Sequence, residues 1–159
     1  MRQIIRRREL VPDELRYAGE ELPAGTVRVH PLADWLAAAD SIAAPAAVLL
    51  GPGDEVEPLG RHLEGVCWVV IDFGKIGEGR GYSQARMLRQ RLRYAHELRA
   101  RGAIKRDQLF FLARSGFDAF ELDAAENAAA ALAAFDTFSV AYQEGSDALV
   151  SVRRRSPAL

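Results

Sequence analysis

Cysteine is almost absent from this 159-residue chain, where Cys67 stands alone inside the apolar run VCWVV. A single thiol cannot close an internal disulfide and reads as a small buried side chain. Nor can it supply an iron–sulfur cluster, which takes about four thiolates. Histidine is scarce as well, and His30, His62 and His96 lack the close spacing of a zinc site, so no metal is expected. No excess of one charge exists: the net charge is -1, which gives no global attraction to nucleic acid, and no basic–aromatic interleaving compensates for it. No apolar run reaches the roughly 18 residues of a membrane span, and MRQIIRRREL lacks the apolar stretch of about 7–15 residues found in secretion signals. The expectation is a cytoplasmic protein with neither membrane nor nucleic-acid partner. Neither the Walker loop nor the G-x-G-x-x-G turn occurs, which leaves any cofactor unknown.

What is present is an alternation of strand and helix patterns. TVRVH, AAVLLG, GVCWVVIDF, AHELRAR and FDAFEL read as strands. Helical patterns follow at PLADWLAAA, after GPGDEVEPLGRHLEG begins, from Tyr82 to about Leu92, from Lys105 to Arg114 and from Asp123 to Phe135. FSVAYQ at 138–143 adds a possible sixth strand. The fold class expected is α/β: a mainly parallel sheet of about five or six strands built from repeated β–α units, open or partial-barrel-like. The length suits one domain and falls short of the roughly 250 residues of a complete eight-stranded barrel. Residues 1–25 read as an irregular extension with a short strand or hairpin, and 144–159 as a flexible tail. The run Arg6–Arg8 reads as a charged edge that discourages pairing. Asp54 with Glu57, and Asp123 with Glu126, have capping-box spacing.

The chemistry concentrates between Gly74 and Leu122. Gly74, Gly77, Gly79 and Gly81 lie between a strand ending at Phe73 and a helix beginning near Tyr82. That loop falls at the carboxyl end of the sheet, where α/β folds place their sites. It suits either an anion cradle with Arg80 and Ser83 beside it or a tight turn needing glycine. Arg86, Arg89 and Arg93 follow at i, i+3 and i+7, which is one row on a regular helix: a ligand face near the loop or a solvated surface. In AHELRAR, Glu97, Arg99 and Arg101 alternate with Leu98 and Ala100, and Glu121 on the next strand can approach them. These charges are either buried and paired or on an edge strand facing water. Asp107 and Gln108 occupy the first turn of their helix, where a carboxylate suits the dipole.

Together GRGYSQARMLRQR, ELRARG, RDQLFFLARSGFDAFEL and FSVAYQ, with looser matches at PLADWL and PGDEVEPL, resemble domain-of-unknown-function family 934 over about residues 4–143. Members of that bacterial family are described as oxidoreductases involved in sulfite reduction, so the resemblance implies a sulfur-assimilation context and sulfite reductase as partner. The matching polar positions are Arg80, Tyr82, Ser83, Arg86, Arg89, Glu97, Arg99, Asp107 and Gln108. The chain departs from the family pattern at Glu78 and Ala103, where Asp is usual, and at Arg93 and His96, where glycines are usual.

Three functions remain open at this level. The first is an accessory protein that binds a small anion or docks to sulfite reductase through arginines. The second is an enzyme with Glu97 as general acid or base, Arg99 and Arg80 holding an anionic substrate and Asp107 orienting them. The third is a structural interaction module. An exposed parallel edge would also admit a homodimer.

Overall fold

The computed structural model describes residues 2–75, 79–123 and 126–135. The strand expected at 138–143, the tail 144–159 and part of the glycine loop, including Gly77 and Glu78, lie outside the described residues.

The chain opens with a hairpin. β1 (Gln3–Arg6) pairs antiparallel with β2 (Glu9–Pro12), Gln3 opposite Pro12 and Arg6 opposite Glu9. Arg7 and Arg8 turn it at φ of 47° and 68°, the positive values that two-residue hairpin loops need to match strand twist. After β3 (Leu15–Arg16) and β4 (Val27–Pro31) come α1 (Leu32–Ala38), β5 (Ala46–Leu50), a 3-10 turn (Glu57–His62) and β6 (Val66–Phe73). α2 (Arg80–Arg86) runs into a π-helical segment (Met87–Arg91) and leads to β7 (Glu97–Gly102). A 3-10 turn (Arg106–Gln108), α3 (Leu109–Arg114), β8 (Ala119–Phe120) and α4 (Ala128–Ala134) complete the described chain.

The eight strands form one curled, half-barrel sheet in the order β2-β1-β8-β7-β6-β5-β4-β3. From β3 to β8 every neighbouring pair is parallel and successive in the chain, while β1 joins β8 antiparallel. Strands added always to the same side by crossovers of one hand place all helices on one face and leave the other face to the inside of the curl. The side chains follow that division. Val69, Ile71, Phe73, Leu98, Ala100 and Phe120 belong to the large core with Trp35, Ala85, Leu88, Leu109 and Leu112. Leu15, Tyr17, Val29, Ala47 and Val70 form a smaller core on the opposite face.

The sheet has more strands than the five or six expected, because the first 25 residues contribute three. They are not an irregular extension. Its two edges, β2 and β3, are separated in sequence by Asp13 and Glu14 only, a gap of at most about 11 Å between Pro12 and Leu15. The parallel edge is the two-residue β3. β7 is not an edge either: it sits between β6 and β8, so its charged face points inside the curl and not to bulk water.

Neither capping box forms as the spacing suggests. Asp54 folds its carboxylate back onto the Gly51 N–H, 2.7 Å away. At α4 the cap is Asn127, whose Oδ1 accepts from Ala129 and Ala130 at 2.9 and 3.1 Å. Asn127 directly precedes the helix, whereas Asp123 lies too far upstream to reach its free N–H groups.

Candidate functional site

Alternation on β7 sends Glu97, Arg99 and Arg101 inward, beside Trp68, Val70 and Asp72 of β6, in register pair by pair. Arg99 is completely buried. Its Nη1 donates to Asp13 Oδ1 at 2.6 Å, and its Nε and Nη2 donate to Glu97 Oε1 at 3.1 and 3.0 Å. Arg6 reaches Glu97 at 2.6 Å and pairs with Glu14, which also accepts from the Trp68 indole at 3.1 Å. Arg2 holds the other oxygen of Asp13 at 2.6 Å and the Glu20 carboxylate at 3.0 Å, and lies 3.5 Å from Glu121. Glu97 and Arg99 are thus shielded and paired, as burial requires. Their main partners come from the chain's first 20 residues. Glu121 joins through Arg2 and through the Tyr17 hydroxyl, which donates to it at 2.7 Å.

The electrostatics follow from this wiring. Burial alone would raise the Asp13 carboxyl, but the Arg99 guanidinium, the Leu15 N–H and Arg2 outweigh it and hold the group below its ordinary range. Burial and the neighbouring Glu121 charge push the Tyr17 hydroxyl far up. For Asp13 the sign is fixed. Its stabilisation is complete above the ordinary aspartate value of 3.8 and is lost as pH falls through the lower folded value. Glu20, held down by the Tyr17 N–H and Arg2 against its own desolvation, acts in the same direction. Asp13→Asn should therefore reduce stability at pH 7 and flatten its decline below about pH 4. Urea unfolding at pH 7 and at steps down to pH 3 measures this; an undiminished acid decline in the variant would remove Asp13 as its source.

The catalytic candidates are not brought together. Glu97 begins β7, at the amino end of the parallel strands, while Asp107 follows its carboxyl end, roughly 16 Å further along the strand. Asp107 belongs to a second cluster. Tyr82 hydrogen-bonds to Gln108, packs edge-on to Phe73 at 5.5 Å between centroids, and lies near Asp107. Burial is the main reason its hydroxyl is pushed up; the Asp107 charge adds to that and the Gln108 amide opposes it. Gln108 also accepts from the Lys105 N–H at 2.9 Å.

Arg80 and Ser83 line a cavity of about 300 Å³ between the start of α2 and residues Pro52–Glu57. Arg80 donates to the Pro52 carbonyl at 3.4 Å. The same wall carries Asp54, Glu55 and Glu57, a set of carboxylates that disfavours a small anion there. The junction is fixed by Gln84, which is buried and donates to the carbonyls of Gly51 and Asp54, both at 2.9 Å. α2 comes this close to β6 because residue 81 is glycine: a Cβ there would stand 2.5 Å from the Phe73 ring.

The three arginines of the helix do not share a row. Over Met87–Arg91 the backbone bonds lengthen to the π pattern, Leu92 N–H donating to the Met87 carbonyl at 3.0 Å. The extra residue per turn swings Arg89 away from Arg86. Arg89 then braces the turns around β7 and β8: it donates to the carbonyls of Gly116, Tyr94 and His96 at 2.9, 2.7 and 2.8 Å, and to Asp118 at 2.5 Å. Arg86 and Arg93 are exposed and, among the described residues, have no hydrogen bond or ion pair. Arg93 takes φ of 56°, a left-handed backbone that favours glycine, at a position where the family resemblance implies glycine.

Reasoning from sequence missed Asp13, Tyr17 and Gln84. Gln84 left a trace: it lies on the face of α2 that also carries Gly81 and Ala85 and continues to Leu88 of the π-helical segment, where a polar residue needs buried partners. Asp13 and Tyr17 left none, because their roles depend on the curl of the sheet, which brings them to Arg99 and Glu121. Among the described residues no group of three or more histidine, cysteine, aspartate or glutamate side chains is placed to hold a metal ion, and no helix is long and apolar enough to cross a membrane.

No curated protein and no solved structure matches the chain. A family model does match, over residues 47–152, a span that starts within β5 and runs past α4. The chain belongs to the family described as bacterial protein of unknown function, DUF934.

Proposed function

We propose that the protein is an accessory of assimilatory sulfite reduction that docks onto an acidic surface of sulfite reductase through the arginines of α2 and the segment after it. The observation that carries this reading is the division of labour among the arginines. Arg89 and Arg99 are consumed by internal partners, whereas Arg86 and Arg93 face solvent without an internal ion pair among the described residues. Arg91 is exposed beside them, with the Met87 sulfur 3.7 Å from its Nη1. Exposed cations without internal partners keep their full charge for a partner and act over about a Debye length, 8–10 Å at ordinary salt. The sulfite-reductase assignment rests on the family resemblance carried by GRGYSQARMLRQR and ELRARG. The enzyme reading through Glu97 is less favoured, since both its oxygens are taken by Arg6 and Arg99 at the amino end of the strands.

The test is binding of purified sulfite reductase to the parent protein and to an Arg86→Glu, Arg93→Glu variant. The parent is expected to bind at low salt with an affinity that falls as salt rises, and the variant to bind roughly tenfold or more weakly through a lower association rate. Equal binding by the folded variant rules out this face.

A further inference from the structure

At the carboxyl ends of β6 and β7, on the inner face, Asp72 and Arg101 stand opposite each other in register. They differ from every other charged pair inside the curl. Arg101 sits over the Tyr17 ring, its guanidinium carbon 3.7 Å from the centroid. It makes no hydrogen bond and no ion pair among the described residues, and its Nε is buried without a partner. Asp72 likewise makes no hydrogen bond and no ion pair among the described residues, and its Oδ1 occupies the space that a Cβ on Gly102 would need, 2.5 Å from that position.

A guanidinium held against a ring face with its donors unused is a cation in place for a ligand, and its fork of N–H groups matches two oxygens of an oxyanion. The carboxylate beside it would repel a fully ionised anion but accept a hydrogen bond from one that still carries a hydroxyl. Side chains of neighbouring strands start about 4.8 Å apart, so one small ligand spans both. Their position at the carboxyl end of parallel strands is where folds of this kind place ligands. One residue pair toward the amino end, Arg99 has its donors satisfied, so the same strands carry a closed structural pair and an open one.

We propose that Arg101 and Asp72 form a binding site for a small oxyanion that retains a hydroxyl hydrogen: Arg101 takes two of its oxygens and Asp72 accepts the hydrogen. The site does not depend on the docking face, which lies on the helices outside the sheet.

Inorganic phosphate and sulfate separate the possibilities, because at pH 7 phosphate keeps a hydroxyl and sulfate does not. Calorimetric titration of the full chain at pH 7 and fixed ionic strength should show phosphate binding roughly tenfold or more tighter than sulfate. Arg101→Gln should weaken phosphate binding by about tenfold or more. Asp72→Asn, which keeps shape and offers an N–H donor, should bring sulfate up to within a few-fold of phosphate. This second variant decides the matter even if Arg101→Gln fails to fold. Phosphate binding unchanged in Arg101→Gln, sulfate excluded equally by the parent and Asp72→Asn, or no binding of either anion to the parent would each overturn the proposal.

Discussion

Arg99→Ala is expected to lower the unfolding free energy by about 3–5 kcal/mol, the usual loss when one member of a buried ion pair is removed. For a chain of this size that is a fall in Tm of roughly 10 °C. The size follows from what remains behind. Asp13 keeps a side chain wholly shielded from solvent, Glu97 is nearly so, and both lose their shared cation. Arg2 and Arg6 each hold only one side of the gap. The loss also bears on topology, because Asp13 is one of the two residues joining the sheet's edges and Arg99 ties it to the middle of the sheet. Arg99→Lys should recover little, since a single ammonium cannot reproduce a fork that donates to Glu97 from two nitrogens and to Asp13 from a third. By contrast, Arg99→Met combined with Asp13→Asn and Glu97→Gln should be less destabilised than Arg99→Ala alone, as removing charges together avoids stranding one of them. Denaturant unfolding of the set measures this. A loss under 1 kcal/mol for Arg99→Ala would mean that water reaches the carboxylates and that the pairing is not the constraint described.

What the sequence disclosed depends on the range of the interaction. β4 through β7 were legible because each is a short apolar or alternating run between turn residues, and the β–α rhythm dictated a mainly parallel sheet. The two-faced character of β7 was legible from the parity of Glu97, Arg99 and Arg101. Whether that face met water or protein was not, since the answer lies in Asp13, more than 80 residues away, and in the curl of the sheet. The hairpin turn at Arg7–Arg8 was opaque for another reason: left-handed backbone is ordinarily signalled by glycine or asparagine, and arginine there reads as surface charge. The arginine row failed through period. Spacing of i, i+3 and i+7 assumes 3.6 residues per turn, and the π-helical segment after Arg86 breaks that assumption. Among the candidate site residues, Arg80 and Ser83 were singled out by their nearness to the glycine loop, Gln108 by its place in the first turn of its helix and Tyr82 by the family resemblance. Arg101 and Asp72 were not, because only their lack of partners distinguishes them, and that is a property of the folded chain.

Gly102→Ala should cost about 2–5 kcal/mol. Two costs add. Residue 102 has φ of 94°, where a Cβ costs roughly 1–2 kcal/mol, and the new methyl would stand 2.5 Å from both the Phe73 carbonyl oxygen and Asp72 Oδ1. Crowding of this kind costs about 1–3 kcal/mol when the neighbours cannot yield. The carbonyl is held: the Ala103 N–H donates to it at 2.7 Å, at the point where β6 and β7 end together. Asp72 can move, but only by leaving its place beside Arg101. Gly53→Ala provides the comparison, with no atom within 4 Å of its Cβ position and an expected change within about 1 kcal/mol in either direction. Thermal and urea unfolding of the two variants separate backbone strain from a general intolerance of alanine. Because the displaced carboxylate is one half of the open pair, phosphate affinity measured on the surviving folded fraction of Gly102→Ala should fall as well. A variant that keeps both its stability and its phosphate affinity would show that neither Phe73 nor Asp72 is fixed at the end of these strands.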